Sequence, residues 1–134
     1  MKLVVDSHAW IDYFEGGDSG KEVMEYLEDS NNEIVTNILN LAEISSFFDR
    51  RGKDGQEAHK IILSNSKIYN FNVDFSREAG KLHAQIRKKI KDFGLIDAFV
   101  LLTARKINAK VLTGDPHFKG FKETILIKWI GWDL

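Results

Sequence analysis

The sequence has no cysteine, only one proline, and no excess of charge of either sign. Without cysteine the chain can form no disulfide framework, thiolate metal site or cysteine nucleophile. Its 19 basic and 20 acidic residues give a net charge of −1, which argues against a protein that coats nucleic acid through bulk positive charge. No apolar run approaches the roughly 20 residues that a membrane span needs. The N-terminus reaches Asp6 before an apolar stretch of signal-peptide length can form.

The composition that remains is that of an ordinary globular domain. The chain has 134 residues, of which 43% are hydrophobic and 29% charged, so it is neither disordered nor fibrous. One core is long enough to bury roughly two-thirds of the unfolded surface. No internal repeat or low-complexity segment divides the sequence. We therefore expect one domain over residues 1–134 that is soluble and cytoplasmic and has no contact with membranes.

Short apolar runs alternate along the chain with longer segments in which apolar residues recur at helical spacing. Strands are predicted at 3–5, 33–35, 67–69, 110–113 and 125–127. Helices are predicted at 9–14, 21–28, 38–51 (capped by Thr36-Asn37), 55–64, from a cap at Asp74 or Ser76 to Lys91, and 96–108. This alternation indicates an α/β fold, a three-layer α-β-α sandwich with a mostly parallel central sheet.

Two aspartates follow predicted strands at the point where each strand ends. Asp6 comes directly after the first strand, and Asp115 stands two residues beyond the strand that ends at Thr113. In open parallel sheets, ligands gather beyond the carboxyl ends of the strands. Either acid taken alone is also explained as a turn or cap residue. Together they favour a site at one edge of the sheet.

Two further acids lie on predicted helices among apolar residues. Glu43 has Leu39 and Phe47 four residues to either side, which places it in line with residues expected to pack inward. Burying an unpaired carboxylate costs several kcal/mol, a conflict that a metal ion would remove. The alternative is that Glu43 lies at the edge of the stripe and reaches water. Asp97 precedes apolar Val100 at helical spacing, although a first-turn acid also favours the helix dipole.

These four acids are predicted to converge at one sheet edge: Asp6, Glu43, Asp97 and Asp115. Four converging carboxylates repel one another unless cations neutralise them. Oxygen ligands with no requirement for histidine or cysteine suit Mg²⁺ or Mn²⁺ rather than zinc.

Four segments carry a family resemblance, in the correct order and spacing over almost the whole chain. They are residues 4–14, which contain VVDSHAWIDYF, residues 36–44, which contain TNILNLAEI, residues 94–104, and residues 112–118, which contain LTGDPHF. The sequence resembles PIN domains, particularly the VapC-type toxin ribonucleases.

The resemblance implies an acidic site that holds one or two Mg²⁺ or Mn²⁺ ions. Its ligands and catalytic residues would be Asp6, Glu43, Asp97 and Asp115, with Thr113, Ser7 and Thr36 in supporting roles, although helix capping explains Thr36 equally well. Other candidates rank lower. His8 and His117 are interpreted as neutral surface or packed residues, Asp12 as lying on the far side of a helical turn, Asp92 as a loop residue, and Trp129 and Trp132 as core residues.

The resemblance also implies the activity and its partners. The chain would be a metal-dependent endoribonuclease that cleaves single-stranded or looped RNA by attack of metal-activated water on a phosphodiester. It would form a homodimer and be the toxin of a toxin–antitoxin pair, with a separate antitoxin protein over the active groove. One alternative is a non-toxin PIN nuclease that acts in RNA processing or on structured DNA. Another, ranked far lower, is a phospho-receiver signalling domain, since Asp6-Ser7-His8 lacks the acidic pair and no aspartate ends the strand at 67–69.

Overall fold

Each of the first three strands is followed by two α-helices in residues 1–128, the part of the chain that the computed structural model describes. The strands are Lys2–Val5 (β1), Glu33–Asn37 (β2), Lys67–Tyr69 (β3), Lys110–Thr113 (β4) and Thr124–Leu126 (β5). The α-helices are Ser7–Glu15 (α1), Gly17–Glu28 (α2), Ile38–Arg50 (α3), Gly55–Asn65 (α4), Val73–Arg87 (α5) and Leu95–Ile107 (α6). Trp129 and Trp132, predicted as core residues, lie outside the described residues. No helix within residues 1–128 is long and apolar enough to cross a bilayer.

The described strands form one sheet in the order β3-β2-β1-β4-β5. Each neighbouring pair is parallel, so the carboxyl ends of all these strands lie at the same edge. This confirms the predicted α/β class. The order differs from the 2-1-3-4-5 arrangement that is typical of receiver domains, which argues against that alternative.

Alternation of side chains along β1 divides the core between the two faces of the sheet. Leu3 and Val5 pack in a cluster with buried residues of α1, α2, α3 and α4. Val4 points to the opposite face and packs with α6, with α5 contributing partly buried residues. The helices therefore cover both faces, and the predicted three-layer α-β-α sandwich is confirmed.

The start of α2 differs from the prediction, whereas the cap of α3 agrees with it. Gly16 and Gly17 have φ of 80° and 72°, a conformation that residues with side chains rarely adopt. They let α2 begin at Gly17, directly after α1, rather than at Lys21. The prediction that Asn37 caps α3 is confirmed, since its side chain accepts a hydrogen bond of 2.9 Å from the backbone N–H of Leu39.

The predicted limits of α5 are also wrong at both ends. Asn72 caps the helix by accepting a 2.9 Å hydrogen bond from the backbone N–H of Phe75, so neither Asp74 nor Ser76 is the cap. The helix ends at Arg87 instead of Lys91 because the next N–H groups bond back three residues and tighten the chain into a turn. Sequence periodicity alone did not reveal this tightening.

Candidate active site

The four predicted acids lie around the carboxyl edge of the sheet. Asp6 follows β1, Asp115 follows β4, Asp97 is in the first turn of α6, and Glu43 lies on α3, which begins where β2 ends. Asp97, Glu43 and Asp115 lie close enough to Asp6 for their negative charges to raise its pKa. Four segments that are far apart in sequence therefore build one acidic site.

Asp6 is the most enclosed of these acids, with 4% of its surface exposed. Its Oδ2 accepts a 2.8 Å hydrogen bond from the Thr113 hydroxyl. Burial is the main reason that its pKa rises to about 7, and Asp97 adds the next largest upward effect. The Thr113 hydrogen bond opposes this rise by stabilising the charged form. The ionised form of Asp6 is therefore destabilised by burial and by neighbouring negative charges, and a bound cation would relieve this destabilisation.

Asp97 is half-buried and its pKa is also raised, to about 6. Burial is the largest cause, and the charges of Asp115 and Glu43 add to it. The backbone N–H of Gly94 donates to Asp97 Oδ2 at 2.9 Å and opposes the shift. Asp97 thus also stabilises the N-terminus of α6, so the local role considered from the sequence and a place in the acidic site are both present.

Glu43 reaches solvent, so the predicted burial of its carboxylate is wrong. The buried face of α3 is formed by Leu41, Ile44 and Phe48, and the Leu39–Glu43–Phe47 stripe runs along its half-exposed border. The alternative interpretation, that Glu43 lies at the edge of the stripe, is confirmed. The carboxylate is nevertheless held in place, because its Oε1 accepts a 2.7 Å hydrogen bond from the Ser7 hydroxyl.

Asn40 is a site residue that the sequence analysis missed. It is fully buried, and its Nδ2 lies 2.7 Å from Ser7 Oγ, 3.1 Å from Glu43 Oε1 and 3.4 Å from Asp6 Oδ1. No described residue donates a hydrogen bond to its Oδ1. The available signal was an amide three residues before the acid in an otherwise apolar part of α3. One amide therefore links an acid after β1 to an acid on α3.

The turn after β4 positions Asp115 and His117. The backbone N–H of Asp115 donates to Thr113 Oγ1 at 3.0 Å, and Asp115 Oδ1 accepts from the backbone N–H of His117 at 2.9 Å. His117 Nδ1 lies 3.1 Å from the same oxygen. Ligand atoms of Asp97, Asp115 and His117 all lie within 4.8 Å of one another. His117 is therefore closer to the acids than its low ranking from sequence suggested.

Thr36 lies near the site without touching the acids. It is fully buried; its hydroxyl accepts from Trp10 Nε1 at 3.0 Å and donates to Ser66 Oγ at 2.9 Å. Because Asn37 caps α3, the capping explanation for Thr36 is wrong. Its contacts instead tie β2 to α1 and to the end of α4.

His8 and Asp12 pack beside the turn that carries Asp115. A Cβ at Gly114 would lie 2.8 Å from His8 Nδ1 and 3.2 Å from Asp12 Oδ2. The sequence placed Asp12 on the far side of a helical turn, whereas the structure buries it 3.4 Å from His8 Nδ1. Burial lowers the pKa of His8, but the hydrogen bond and charge of Asp12 outweigh it and the net pKa is raised. The close packing explains why position 114 is glycine.

The donor set of the site fits a divalent cation that prefers oxygen. Carboxylates predominate, and the raised pKa values of Asp6 and Asp97 result first from burial and then from the proximity of other carboxylates. A bound cation would relieve both effects by neutralising the site. Within the described residues, His117 is the histidine whose ring nitrogen lies within 4.8 Å of the ligand oxygens of Asp97 and Asp115. The balance of donors favours Mg²⁺ or Mn²⁺.

A parallel sheet covered on both faces, with carboxylates grouped at its carboxyl edge, defines the chain as an α/β domain with an acidic site. The profile of the PIN domain family matches residues 3–123. The chain therefore belongs to the PIN domain family. A search of curated protein sequences found no match.

Solved structures share this fold at low sequence identity. VapBC2 from Rickettsia felis, bound to a DNA fragment from its promoter, aligns with a TM-score of 0.72 at 23% identity, covering 94% of this chain and 97% of that one. VapC20 from Mycobacterium tuberculosis, a toxin that cleaves the sarcin–ricin loop, aligns with a TM-score of 0.74 at 17% identity, covering 90% of this chain and 95% of that one. VapBC-1 from nontypeable Haemophilus influenzae aligns with a TM-score of 0.71 at 16% identity, covering 98% of this chain and 100% of that one.

Proposed function

We propose that this chain is a divalent-metal-dependent endoribonuclease and the toxin component of a toxin–antitoxin pair. The observation that carries the proposal is the grouping of four carboxylates at the carboxyl edge of a PIN domain sheet. In open parallel sheets this edge is where ligands bind. The sequence contains no cysteine, which excludes a cysteine nucleophile.

The metal would be held by carboxylate oxygens of Asp6, Glu43, Asp97 and Asp115. When bound, such a cation supplies a Lewis acid for the scissile phosphate and lowers the pKa of a water nucleophile. The chain's own residues hold the acids in position. The Thr113 hydroxyl donates to the Asp6 carboxylate and accepts from the backbone N–H of Asp115. Ser7 and Asn40 both donate to the Glu43 carboxylate.

The substrate of the proposed activity is single-stranded or looped RNA. An open edge of a sheet gives access to a backbone that is not paired in a helix, and sequence-specific RNA recognition favours such regions. The net charge of −1 means that a few local cations, rather than the whole surface, must attract the RNA.

The proposed partners are a separate antitoxin protein and a second copy of the chain. Three of the similar structures are toxin–antitoxin assemblies, from Rickettsia felis, Klebsiella pneumoniae and Haemophilus influenzae. The proposal carries this arrangement over to the present chain. Co-purification of the full chain with the product of a neighbouring gene, followed by mass measurement in solution, tests both partners.

A fluorogenic single-stranded RNA tests the activity itself. We expect cleavage with Mg²⁺ or Mn²⁺, no cleavage in EDTA, and loss of cleavage in Asp115→Asn. Cleavage that continues undiminished in EDTA would contradict the metal mechanism. Preference for structured DNA over RNA, or no growth arrest when the chain is expressed without its partner, would favour a non-toxin PIN nuclease.

A further inference from the structure

A groove of about 420 Å³ opens directly beside the acidic site and is not explained by the metal ligands. Ser7 and Glu43 belong to both, forming the end of the groove that adjoins the acids. From there the groove follows α3, past Ile11 on α1, to Phe47 and Arg50. Whatever occupies this groove is therefore continuous with whatever lies at the carboxylates.

Phe47 gives the groove a fixed aromatic wall. Its ring is half-buried and meets Phe48 edge-on, with centroids 5.4 Å apart and planes at 85°. The guanidinium of Arg51 lies 3.6 Å from the centroid of the Phe47 ring. Contacts with two neighbours leave the ring little freedom to turn. A ring held in this way contacts a planar ligand at low entropic cost.

Arg50 supplies the positive charge of the groove. It is the only cation among the described residues that line it. Its Nε donates a 3.2 Å hydrogen bond to the backbone oxygen of Ser46, which directs the side chain along α3. Arg50 lies seven residues after Glu43, and the helical rise places it about 10 Å further along the helix. The groove thus runs from a carboxylate, past an apolar wall, to a cation.

We propose that this groove binds the nucleotide that adjoins the cleaved phosphate of a single-stranded RNA. The base packs against Phe47 and Ile11, and Arg50 pairs with the phosphate on the far side of that nucleotide. The inference rests on the proposed ribonuclease function. An aromatic surface combined with a cationic groove is the general way in which proteins hold single strands without reading sequence.

The charge pattern favours a nucleotide over an apolar protein segment. The acids repel every phosphate that is not neutralised, so an RNA strand needs a cation close to the site to define its path. Arg50 lies at the end of the groove away from the acids, where the next phosphate would leave. Between Glu43 and Arg50 the lining is mainly apolar, from Ile11, Ala42 and Phe47, which suits the face of a base.

The test combines variants of the full-length protein with modified RNA. The cut site is first mapped on an unmodified oligonucleotide with the wild type, which also tests the proposed function. Phe47→Leu removes the ring but keeps an apolar side chain, and Arg50→Gln removes the charge. Phe121→Leu and Arg87→Gln are the matched controls, since Phe121 is also half-buried below an arginine and Arg87 is also at a helix end. Melting in EDTA checks that each variant folds.

We expect Phe47→Leu and Arg50→Gln each to raise KM, or the Kd measured by anisotropy in Ca²⁺, by about tenfold, with little change in kcat. The controls should stay within about twofold of the wild type. An abasic nucleotide next to the cut site should weaken RNA binding by the wild type by a similar factor. It should not weaken RNA binding by Phe47→Leu any further. That coupling should occur on one side of the cut only.

If the losses of RNA affinity caused by the abasic nucleotide and by Phe47→Leu are additive, the inference is overturned, because the Phe47 ring and the base then do not contact each other. Unchanged RNA affinity in both groove variants would also overturn it while leaving the ribonuclease intact. If those variants instead lose binding of a purified antitoxin or of a second copy, the groove belongs to that protein. Absence of cleavage by the wild type would count against the proposed function and not against the groove alone.

Discussion

The hydroxyl of Thr113 donates a 2.8 Å hydrogen bond to Asp6 Oδ2 and so joins two residues that are 107 positions apart. The two side chains meet because β1 and β4 are parallel neighbours, with Val5 paired with Leu112 just before both strands end. The same hydroxyl accepts the backbone N–H of Asp115. A single side chain therefore positions two of the four acids.

Replacing Thr113 with valine tests this role. Thr113→Val keeps the shape but removes the donor to Asp6 and the acceptor of the Asp115 N–H. A buried polar group left without a partner costs about 1–3 kcal/mol. We expect lower stability in urea and a cleavage rate reduced by at least about tenfold. Thr113→Ser retains the hydroxyl and should recover most of the rate; a serine variant as impaired as the valine variant would contradict the hydrogen-bonding role.

The raised pKa values predict an unusual pH dependence of the metal-free fold. Burial is the main reason that the pKa of Asp6 rises to about 7 and that of Asp97 to about 6, from 3.8 in the unfolded chain. Between about pH 4 and 7 the folded protein therefore holds protons that the unfolded chain has released. The free energy of unfolding then falls as pH rises through this range and is level above it.

Calorimetry in EDTA at about pH 5 and pH 8 measures this effect. We expect a lower Tm at the higher pH, and a smaller difference in Asp6→Asn, which removes the group with the larger shift. Mg²⁺ should reverse the trend, because it binds the ionised acids. A Tm in EDTA that rises steadily from pH 5 to 8 would mean that the acids are not buried together as in the structure.

The positions of the strands were readily predicted, because β-branched and leucine residues cluster in short runs between longer amphipathic segments; their order in the sheet was not predicted. All five predicted strands are present within a residue or two of the observed ones. The ends of α5 were not predictable from periodicity. Asn72 caps the start of the helix through one side-chain hydrogen bond. The turn after Arg87 depends on backbone hydrogen bonds that the spacing of apolar residues does not reveal.

The site was predicted in outline, because strand ends in a parallel sheet bring Asp6 and Asp115 to the same edge. The surroundings of each acid depend on tertiary packing and were harder to predict from the sequence. Periodicity suggested that Glu43 is buried, although the stripe around it borders solvent. Asn40 was missed because a single amide in a helix says nothing about the two other segments that it contacts.

Mg²⁺ should stabilise the folded protein through the carboxylates. A ligand that binds only the folded state raises its stability in proportion to the logarithm of the ligand concentration above Kd. We expect Mg²⁺ to raise the Tm of the wild type more than that of Asp97→Asn. Asp92→Asn, a change of the same charge at an exposed position nearby in sequence, serves as control and should respond like the wild type. An equal rise in Asp97→Asn would argue against a shared metal site.

Glu43→Gln separates a metal ligand from a merely local role. Glutamine keeps the size and one oxygen that can accept from Ser7 but loses the charge needed to hold Mg²⁺. We expect activity to fall at least about a hundredfold, equivalent to roughly 2.7 kcal/mol of transition-state stabilisation. Because Glu43 is exposed, the Tm in EDTA should be unchanged or slightly higher. Cleavage close to the wild-type rate would remove Glu43 from the site and leave the three aspartates.

Asn40 provides the sharpest test of how the site is held together, since its amide contacts Ser7, Glu43 and Asp6 at once. Asn40→Ala should weaken the Mg²⁺-induced rise in Tm and lower the cleavage rate by about tenfold, because the acids lose a shared donor. Asn40→Asp should lower the Tm in EDTA further still, because it places another carboxylate among the acids, and Mg²⁺ should recover more of that loss than it does in Asn40→Ala.

A second buried asparagine on the same segment is the control for these effects. Asn37 donates to Thr103 Oγ1 at 3.0 Å and has no described hydrogen bond to an acid. Asn37→Ser keeps a capping oxygen for α3 but loses the contact with Thr103, so it should lower the Tm and leave the response to Mg²⁺ unchanged. If Asn40→Ala lowers the Tm in the same way without weakening the Mg²⁺ response, then Asn40 stabilises the fold and does not position the acids.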